Sequence, residues 1–353
     1  MMTNKPKKTK YILPIIAILI VLGLVVPIPY FIESPGSAVH LNELISVDNQ
    51  KDKEDGSFML TTVGVRQATA FTYFMRFLPF HEGLTKKELY GDVSSNKEFN
   101  QVQDYYMTSS VNAAIELAYR TAGAEYKTHY KGVYVMSILD ESKFKGKLEV
   151  GDTIVSLDGH SFKSSEEFID YVKSKKVGEE IDVVVNRNGS EKKVSAPLMK
   201  MDTDKKAGLG ISLVNDTTIT TTIPVDVNTE EIGGPSAGLM FSLEIYTQLK
   251  GINLRDGRQI AGTGTISPDG KVGRIGGIDK KVVAADKEGA TIFFAPDDEI
   301  DPAIKKKYPE LKTNYEEAKA AAKKIGTKMK IVPVKTFQDA VDYLENKGKN
   351  ILA

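Results

Sequence analysis

The chain of 353 residues contains no cysteine and only four histidines, all of which precede residue 200. The absence of cysteine excludes disulfide bonds, thiolate catalysis and cysteine-based zinc sites. The histidines form no H-E-x-x-H pattern, so a zinc protease of that type is excluded and no metal site is expected. Because residues 200–353 lack histidine, a serine nucleophile in that region needs a histidine from elsewhere or a different base. The four histidines are His40, His81, His129 and His160.

Neither sign of charge is in excess, because lysine and arginine together number 47 and aspartate and glutamate also number 47. No basic patch with interleaved aromatic residues is present, so we expect no nucleic-acid partner. The length suffices for two or three domains. The sequence shows neither an internal repeat nor a low-complexity segment.

The longest uncharged run, YILPIIAILIVLGLVVPIPYFI, covers residues 11–32 and has about the length of a bilayer-crossing helix. Four lysines precede it within residues 1–10, and the next lysine is Lys51. This bias predicts a cytoplasmic N-terminus at residues 1–10, a single-pass anchor at residues 11–32 and an extracellular remainder. The alternative is a cleaved signal peptide, but its apolar region would normally be shorter, and Pro35 adjoins the candidate cleavage site.

Residues 33–124 are predicted to form an extracytoplasmic connecting region. Strand-like text, SFMLTTVGV, is followed by a segment with helical spacing that Gly123 can end. The sequence leaves open whether residues 35–120 pack on the C-terminal domain or lead into the module that follows.

Residues 125–198 read as strands, one amphipathic helix and a hairpin with its turn at Asn188-Gly189. The text LEVGDTIVSLDG resembles the PDZ domains of extracytoplasmic proteases. The resemblance implies that residues 131–135 form the carboxylate-binding loop and its strand, beside which a peptide adds as an extra strand. The alternative is a module that only spaces or gates its neighbour. The peptide-binding residues on this interpretation are Gly132, Val133, Tyr134 and Val135.

A serine at the start of an apolar helix is the first candidate for catalysis. In GGPSAGLMFSLEIY, residues 233–246, two glycines and a proline precede Ser236. Such a serine either caps the helix or acts as a nucleophile. A nucleophile needs a nearby group that takes its proton.

A lysine on the apolar face of a second helix is the candidate base. In GRIGGIDKKVVAADKEGA, a helix from Ile278 places Lys281 on the apolar face, whereas Lys280 and Lys287 face elsewhere and are expected to be solvated. Lysine serves as a base when burial lowers its pKa from about 10.4 to near 7 or 8. The alternative is a packed stem whose amine reaches water.

The text GGPSAG followed by GTGTISPDGKVGRIGGIDKKVVAA resembles the proteolytic domain of the Lon family over about residues 205–345. In that family a serine and a lysine form a catalytic dyad. The resemblance assigns Ser236 as nucleophile, Lys281 as base and Thr263 as the residue that holds the lysine amine. Backbone donors around the helix start, at Gly234 and Ala237, would stabilise the oxyanion. Gly233 stands where the family has an acidic residue.

We expect no cofactor. GTISPDGKV resembles a P-loop only superficially, because five residues instead of four separate Gly264 from Gly270 and Val272 replaces the required serine or threonine. No ATPase module precedes the domain, so the sequence predicts cleavage without ATP.

The order of anchor, PDZ module and Lon-like domain resembles a family of membrane-anchored proteases on the outer face of Gram-positive bacteria. We predict an α+β fold with a PDZ domain at 125–198 and a Lon-like proteolytic domain at 199–353. The predicted function is an ATP-independent serine endopeptidase that cleaves exported proteins or secreted, including signalling, peptides. The alternatives are a non-catalytic peptide-binding scaffold and another hydrolase with the same dyad. Lon-type domains often form rings, which leaves a homo-oligomer open.

Overall fold

The computed structural model of the chain describes residues 9–91, 93, 95–229 and 232–346. Its helices are, in chain order, α1 (Thr9–Val25), α2 (Leu41–Leu44), α3 (Lys86–Tyr90), α4 (Asn96–Ala122), α5 (Ser165–Ser174), α6 (Gly238–Lys250), α7 (Ile278–Lys287), α8 (Pro302–Lys307), α9 (Asn314–Ile325) and α10 (Phe337–Glu345). A short 3₁₀ helix covers Thr72–Phe77. The strands are β1 (Pro27–His40), β2 (Ile45–Val47), β3 (Gln50–Lys51), β4 (Ser57–Thr69), β5 (Glu82–Thr85), β6 (Tyr126–Ile138), β7 (Thr153–Leu157), β8 (Glu180–Arg187), β9 (Ser190–Pro197), β10 (Met199–Lys200), β11 (Ala207–Gly208), β12 (Ile211–Thr221), β13 (Val225–Val227), β14 (Gln259–Gly262), β15 (Thr265–Ile266), β16 (Val272–Gly273), β17 (Ile292–Pro296) and β18 (Lys330–Val334).

The largest sheet has six strands in the order β18-β17-β14-β4-β1-β5. Strand β1 pairs with β4 and with β5 in antiparallel orientation. Strands β14, β17 and β18 extend the sheet from β4, and each of them is parallel to its neighbours. Segments from both ends of the chain therefore share one sheet. The question of where residues 35–120 pack is answered, because they supply half of this sheet.

Helices cover both faces of this sheet. Side chains of a strand alternate between the two faces, and β4 shows the pattern clearly. Phe58 and Leu60 pack in a core with α4, α6 and α10, whereas Met59 packs on the other side with α7 and α9. The architecture is mixed α+β, as the sequence predicted, and helices lie on both sides of the sheet.

A second sheet, in the order β12-β6-β7-β8-β9, forms a separate module with α5 and its own core. The predicted turn between β8 and β9 is present, with positive φ at Asn188 and Gly189, as a type I′ hairpin requires. Tyr126 at the start of β6 pairs with Thr221 at the end of β12. The chain therefore enters and leaves this module at adjacent positions.

The predicted transmembrane anchor at residues 11–32 is wrong, and with it the prediction of a single-pass protein whose catalytic domain is extracellular. Within the ranges given above, the structure contains no helix with the length and apolar character needed to span a bilayer. The helix α1 ends at Val25. From Pro27 the chain forms β1, where Phe31 and Ile32 are buried. One uncharged run thus divides into two elements.

Candidate active site

Ser236 lies in the turn directly before α6, which begins at Gly238. The capping position of that helix is Ala237, which makes no side-chain cap. The serine hydroxyl contacts the second candidate residue instead, because its Oγ lies 2.6 Å from the Nζ of Lys281. Ser236 therefore does not serve as the side-chain cap that the alternative interpretation proposed.

Helix α4 holds the turn before the serine. Gly234 has a φ of +90°, a conformation that side chains disfavour, and its backbone N–H donates to the carbonyl of Gln103 at 3.1 Å. The hydroxyl of Ser110 donates to the carbonyl of Pro235 at 3.1 Å. Because the N–H of Gly234 already has this partner, its predicted role as an oxyanion donor is not supported, and Ala237 remains the candidate of that pair.

The segment after β14 holds the turn from the other side. The carbonyl of Ser236 accepts from the N–H of Gly264 at 2.8 Å and from the hydroxyl of Thr263 at 3.0 Å. The N–H of Leu239 donates back to the carbonyl of Gly264 at 3.2 Å. These bonds fix Ser236 between two helices and the end of a strand.

Lys281 lies on α7 and is only 3% exposed. Its amine is 3.1 Å from the Oγ1 of Thr263 in addition to its contact with Ser236. Burial lowers the pKa of this amine from 10.5 to about 7, against the charge of Glu33, which acts to raise it. The structure thus brings Ser236, Thr263 and Lys281 together, with a lysine that is largely neutral near pH 8.

Lys280 was predicted to be solvated, and this prediction is wrong. The residue is 4% exposed, and its Nζ lies 2.9 Å from Glu33 and 3.0 Å from Glu82. The helical periodicity of α7 separates the apolar face but carries no information about carboxylates on β1 and β5. Lys287 is exposed, as predicted.

A cavity of about 540 Å³ opens beside the serine and lysine. Strand β4 contributes four residues to its wall and helix α4 contributes one, and the sequence did not identify these residues as part of the site. The strand was recognised as a strand, but its place beside Ser236 depends on pairing with β14, about 200 residues further along the chain. The wall residues from these two elements are Leu60, Thr61, Thr62, Val63 and Met107.

The four residues predicted as an open peptide-binding edge lie on β6, but that edge is occupied. Strand β12 pairs with β6 in antiparallel orientation along its length, and β7 pairs on the other side. Addition of a peptide to this edge of β6 requires that β12 move, and peptide binding by these four residues stays a prediction. The sequence could not show that the segment after the PDZ-like text folds back. The register partners of Gly132, Val133, Tyr134 and Val135 are Asp216, Asn215, Val214 and Leu213.

Two family models match the chain. Residues 121–198 match the PDZ domain, and residues 205–344 match the Lon protease (S16) C-terminal proteolytic domain. Ser236, Thr263 and Lys281 all lie within the second range. These matches support the prediction of a PDZ-containing Lon-like protease, whereas the predicted domain bounds of 125–198 and 199–353 stay predictions.

Individual relatives match parts of the chain. A stretch of 67 residues is 39% identical to part of the Lon protease of Acinetobacter baumannii. This stretch covers 19% of this chain and 8% of that protein. The solved PDZ domain of an SdrC-like protein from Listeria monocytogenes is 41% identical over 25% of this chain and 93% of its own, with a TM-score of 0.24. The corresponding domain from Listeria innocua is 40% identical over 23% and 92%, with a TM-score of 0.23.

Proposed function

We propose that the protein is a serine endopeptidase that hydrolyses peptide bonds with a Ser236–Lys281 dyad. The observation that carries the proposal is the 2.6 Å contact between the serine hydroxyl and a buried amine whose pKa is lowered to about 7. A serine hydroxyl is a weak nucleophile until an adjacent base accepts its proton. A lysine becomes such a base only when it is neutral.

The hydrogen bonds of the neutral lysine amine determine which proton moves in the reaction. A neutral amine has two N–H groups and one lone pair, and donation to Thr263 at 3.1 Å leaves the lone pair free to accept from Ser236. As Oγ attacks the substrate carbonyl, its proton passes to Lys281, which then donates a proton to the leaving amine. Water hydrolyses the resulting acyl-enzyme, and the lysine again acts as the base.

The charge that develops on the substrate oxygen needs hydrogen-bond donors. The start of α6 follows Ser236 directly, and the N-terminus of a helix favours negative charge. We assign the N–H of Ala237 to this role, since Ala237 adjoins the nucleophile and lines the cavity.

We infer that cleavage does not use ATP. The text GTISPDGKV forms the hairpin β15–β16, whereas a phosphate-binding P-loop leads from a strand into a helix. Without energy from ATP to unfold a stable domain, the substrate we propose is an already extended polypeptide.

The PDZ module is proposed to gate the active site instead of capturing peptides in an open groove. Strand β12 closes the peptide edge of β6, and the chain after Thr221 runs through β13 to Ser236. We infer that a movement of β12 is transmitted through this connection to the segment that carries Ser236. This coupling favours gating.

The experiment is digestion of an unstructured protein by the purified full chain, with and without ATP. We expect cleavage in both conditions, and its loss, by a factor of at least about 10³, in Ser236→Ala and in Lys281→Met. Lys287→Met is the matched control because Lys287 lies on the same helix and is exposed. Full activity of the Ser236 variant, or an absolute requirement for ATP, would contradict the proposal.

A further inference from the structure

An ion cluster around the buried amine of Lys280 lies beside Lys281. Glu33 of β1 and Glu82 of β5 are register partners on adjacent antiparallel strands. Like charges directly opposite each other destabilise a sheet. The amine of Lys280 lies between them, 2.9 Å from Glu33 and 3.0 Å from Glu82, and 3.4 Å from Asp279 of its own helix.

The cluster adjoins the first turn of α7. Gly277, which precedes the helix, has a φ of +64°, and a Cβ there would lie 2.8 Å from Val63 and 3.5 Å from the carboxylate of Glu33. Its carbonyl accepts from the backbone N–H groups of Lys280 and Lys281, each at 3.1 Å. The carboxylate of Glu33 therefore lies against the turn that presents the dyad lysine.

We propose that Lys280 is a positioning residue that clamps α7 to β1 and β5 and neutralises Glu33, so that this carboxylate does not hold a proton on Lys281. The inference rests on the proposed role of Lys281 as the base. Lys280 itself stays charged: burial opposes its charge, but the hydrogen bond and the charge of Glu33 lead the interactions that raise its pKa above the ordinary value.

The other charged groups around α7 have different partners. Arg274, which precedes the helix, pairs with Asp298 at 2.7 Å and with Glu317 of α9 at 3.3 Å. Lys324 of α9 lies over the ring of Phe80. Of the groups that face α7 in the described part of the chain, Glu33 is the one whose charge acts on the Lys281 amine. Those groups are Asp279, Lys280, Asp286, Lys287 and Glu288 on or next to α7, Glu33 and His40 on β1, Glu82 on β5, and Arg274, Glu317 and Lys324.

Two opposite substitutions follow. Lys280→Met keeps the length of the stem but leaves Glu33 without its positive partner, so the pKa of Lys281 rises by about one pH unit. Glu33→Gln removes the carboxylate, so the pKa of Lys281 falls. In the double variant the two effects oppose each other, and Lys281 titrates near its value in the parent chain. Lys280→Arg keeps the charge and leaves the titration unchanged.

The test titrates the Lys281 amine directly by NMR, in the full chain labelled at the lysine Cε, with the signal assigned by its loss in Lys281→Met. The pH profile of kcat/KM is measured in parallel. We expect the midpoint to move by about one pH unit upward in Lys280→Met and downward in Glu33→Gln, with rescue in Lys280→Arg.

Unchanged titration of Lys281 in Lys280→Met and Glu33→Gln would overturn the inference, even if activity fell, because that fall would be only structural. If Lys280→Met does not fold, Glu33→Gln still decides between the two results. A chain that cleaves no substrate would contradict the proposed function, whereas the NMR titration would still test the inference.

Discussion

The neutral form of Lys281 has a cost for the folded protein. In the unfolded chain its amine titrates near 10.4, whereas burial lowers the pKa to about 7 in the native structure. At a pH between these two pKa values, the unfolded chain binds more protons than the native chain. The free energy of unfolding therefore rises with pH across this window, by up to about 5 kcal/mol from this residue.

We accordingly expect Lys281→Met to be inactive and more stable than the parent chain at pH 7, by about 2–4 kcal/mol, because methionine can be buried without losing a charge. The difference should shrink as the pH approaches 10. Urea unfolding at pH 7, 8 and 9.5 measures it, with Lys287→Met as the control. A Lys281 variant that is less stable than the parent at pH 7 would show that the amine is not buried as a neutral base.

At the residue scale, the sequence predicted the residues of the proposed dyad but not their surroundings. Ser236, Thr263 and Lys281 lie in local text that resembles a known family, and all three meet in the structure. The contact between Lys280 and Glu33 was not predicted, because it joins a helix to a strand about 250 residues earlier in the chain. No periodicity within α7 encodes such a pair.

At the scale of elements, the close approach of α6 to its neighbours fixes the position of Ser236, the proposed nucleophile. Gly238 begins this helix, and a Cβ there would lie 2.6 Å from Ile266 and 2.9 Å from the hydroxyl of Ser110. That hydroxyl also holds the carbonyl of Pro235 in the turn before Ser236. A methyl group at Gly238 would therefore press on the side chain of Ile266 and on the Ser110 hydroxyl, which positions the turn.

We expect Gly238→Ala to lower the free energy of unfolding by about 1–3 kcal/mol and to lower kcat more than it changes KM. Thermal unfolding and steady-state kinetics on a peptide substrate test this. Gly276→Ala is the matched control, because no atom lies within 4 Å of the added Cβ and its backbone is not in the left-handed region. Equal effects of the two substitutions would contradict the packing argument.

The prediction of helices and strands failed at residues 11–32, which were predicted as one helix but belong to α1 and then to β1. Residues 11–32 are uniformly uncharged, and hydropathy alone cannot separate the end of α1 from the start of β1. The prolines at 27 and 29 do mark the end of the helix. What the sequence could not show is that β4, more than twenty residues later, pairs with this segment and draws it into a sheet.

At the scale of the whole molecule, the module with the sheet β12-β6-β7-β8-β9 is an insertion that holds most of the PDZ match and the first residues of the Lon-type match. It leaves the rest of the fold at Tyr126 and returns at Thr221, and these residues pair across two strands. Paired residues on antiparallel strands have Cα atoms about 5 Å apart, so a short Gly-Ser linker can replace residues 127–220.

Removal of residues 127–220 distinguishes a module that gates the active site from one that captures substrates. If β12 restrains the segment that carries Ser236, removal of the module changes kcat by about fivefold or more even for a peptide too short to reach it. If the module captures substrates, only long substrates are affected, and the effect is on KM. NMR titration of Lys281 in the excised chain verifies that the protease portion has folded. An unchanged kcat for the short peptide would contradict gating.

The central claim is that Ser236 is acylated with Lys281 as its base, and acyl-enzyme trapping tests it most directly. The full chain is mixed with a short peptide active ester, quenched in acid and digested, and the acylated residue is located by mass spectrometry. We predict acylation at Ser236 that increases with pH with a midpoint close to the lysine pKa of about 7, persists in Lys287→Met and is absent from Lys281→Met. Acylation elsewhere in the chain, or undiminished acylation of Ser236 in Lys281→Met, would contradict the account.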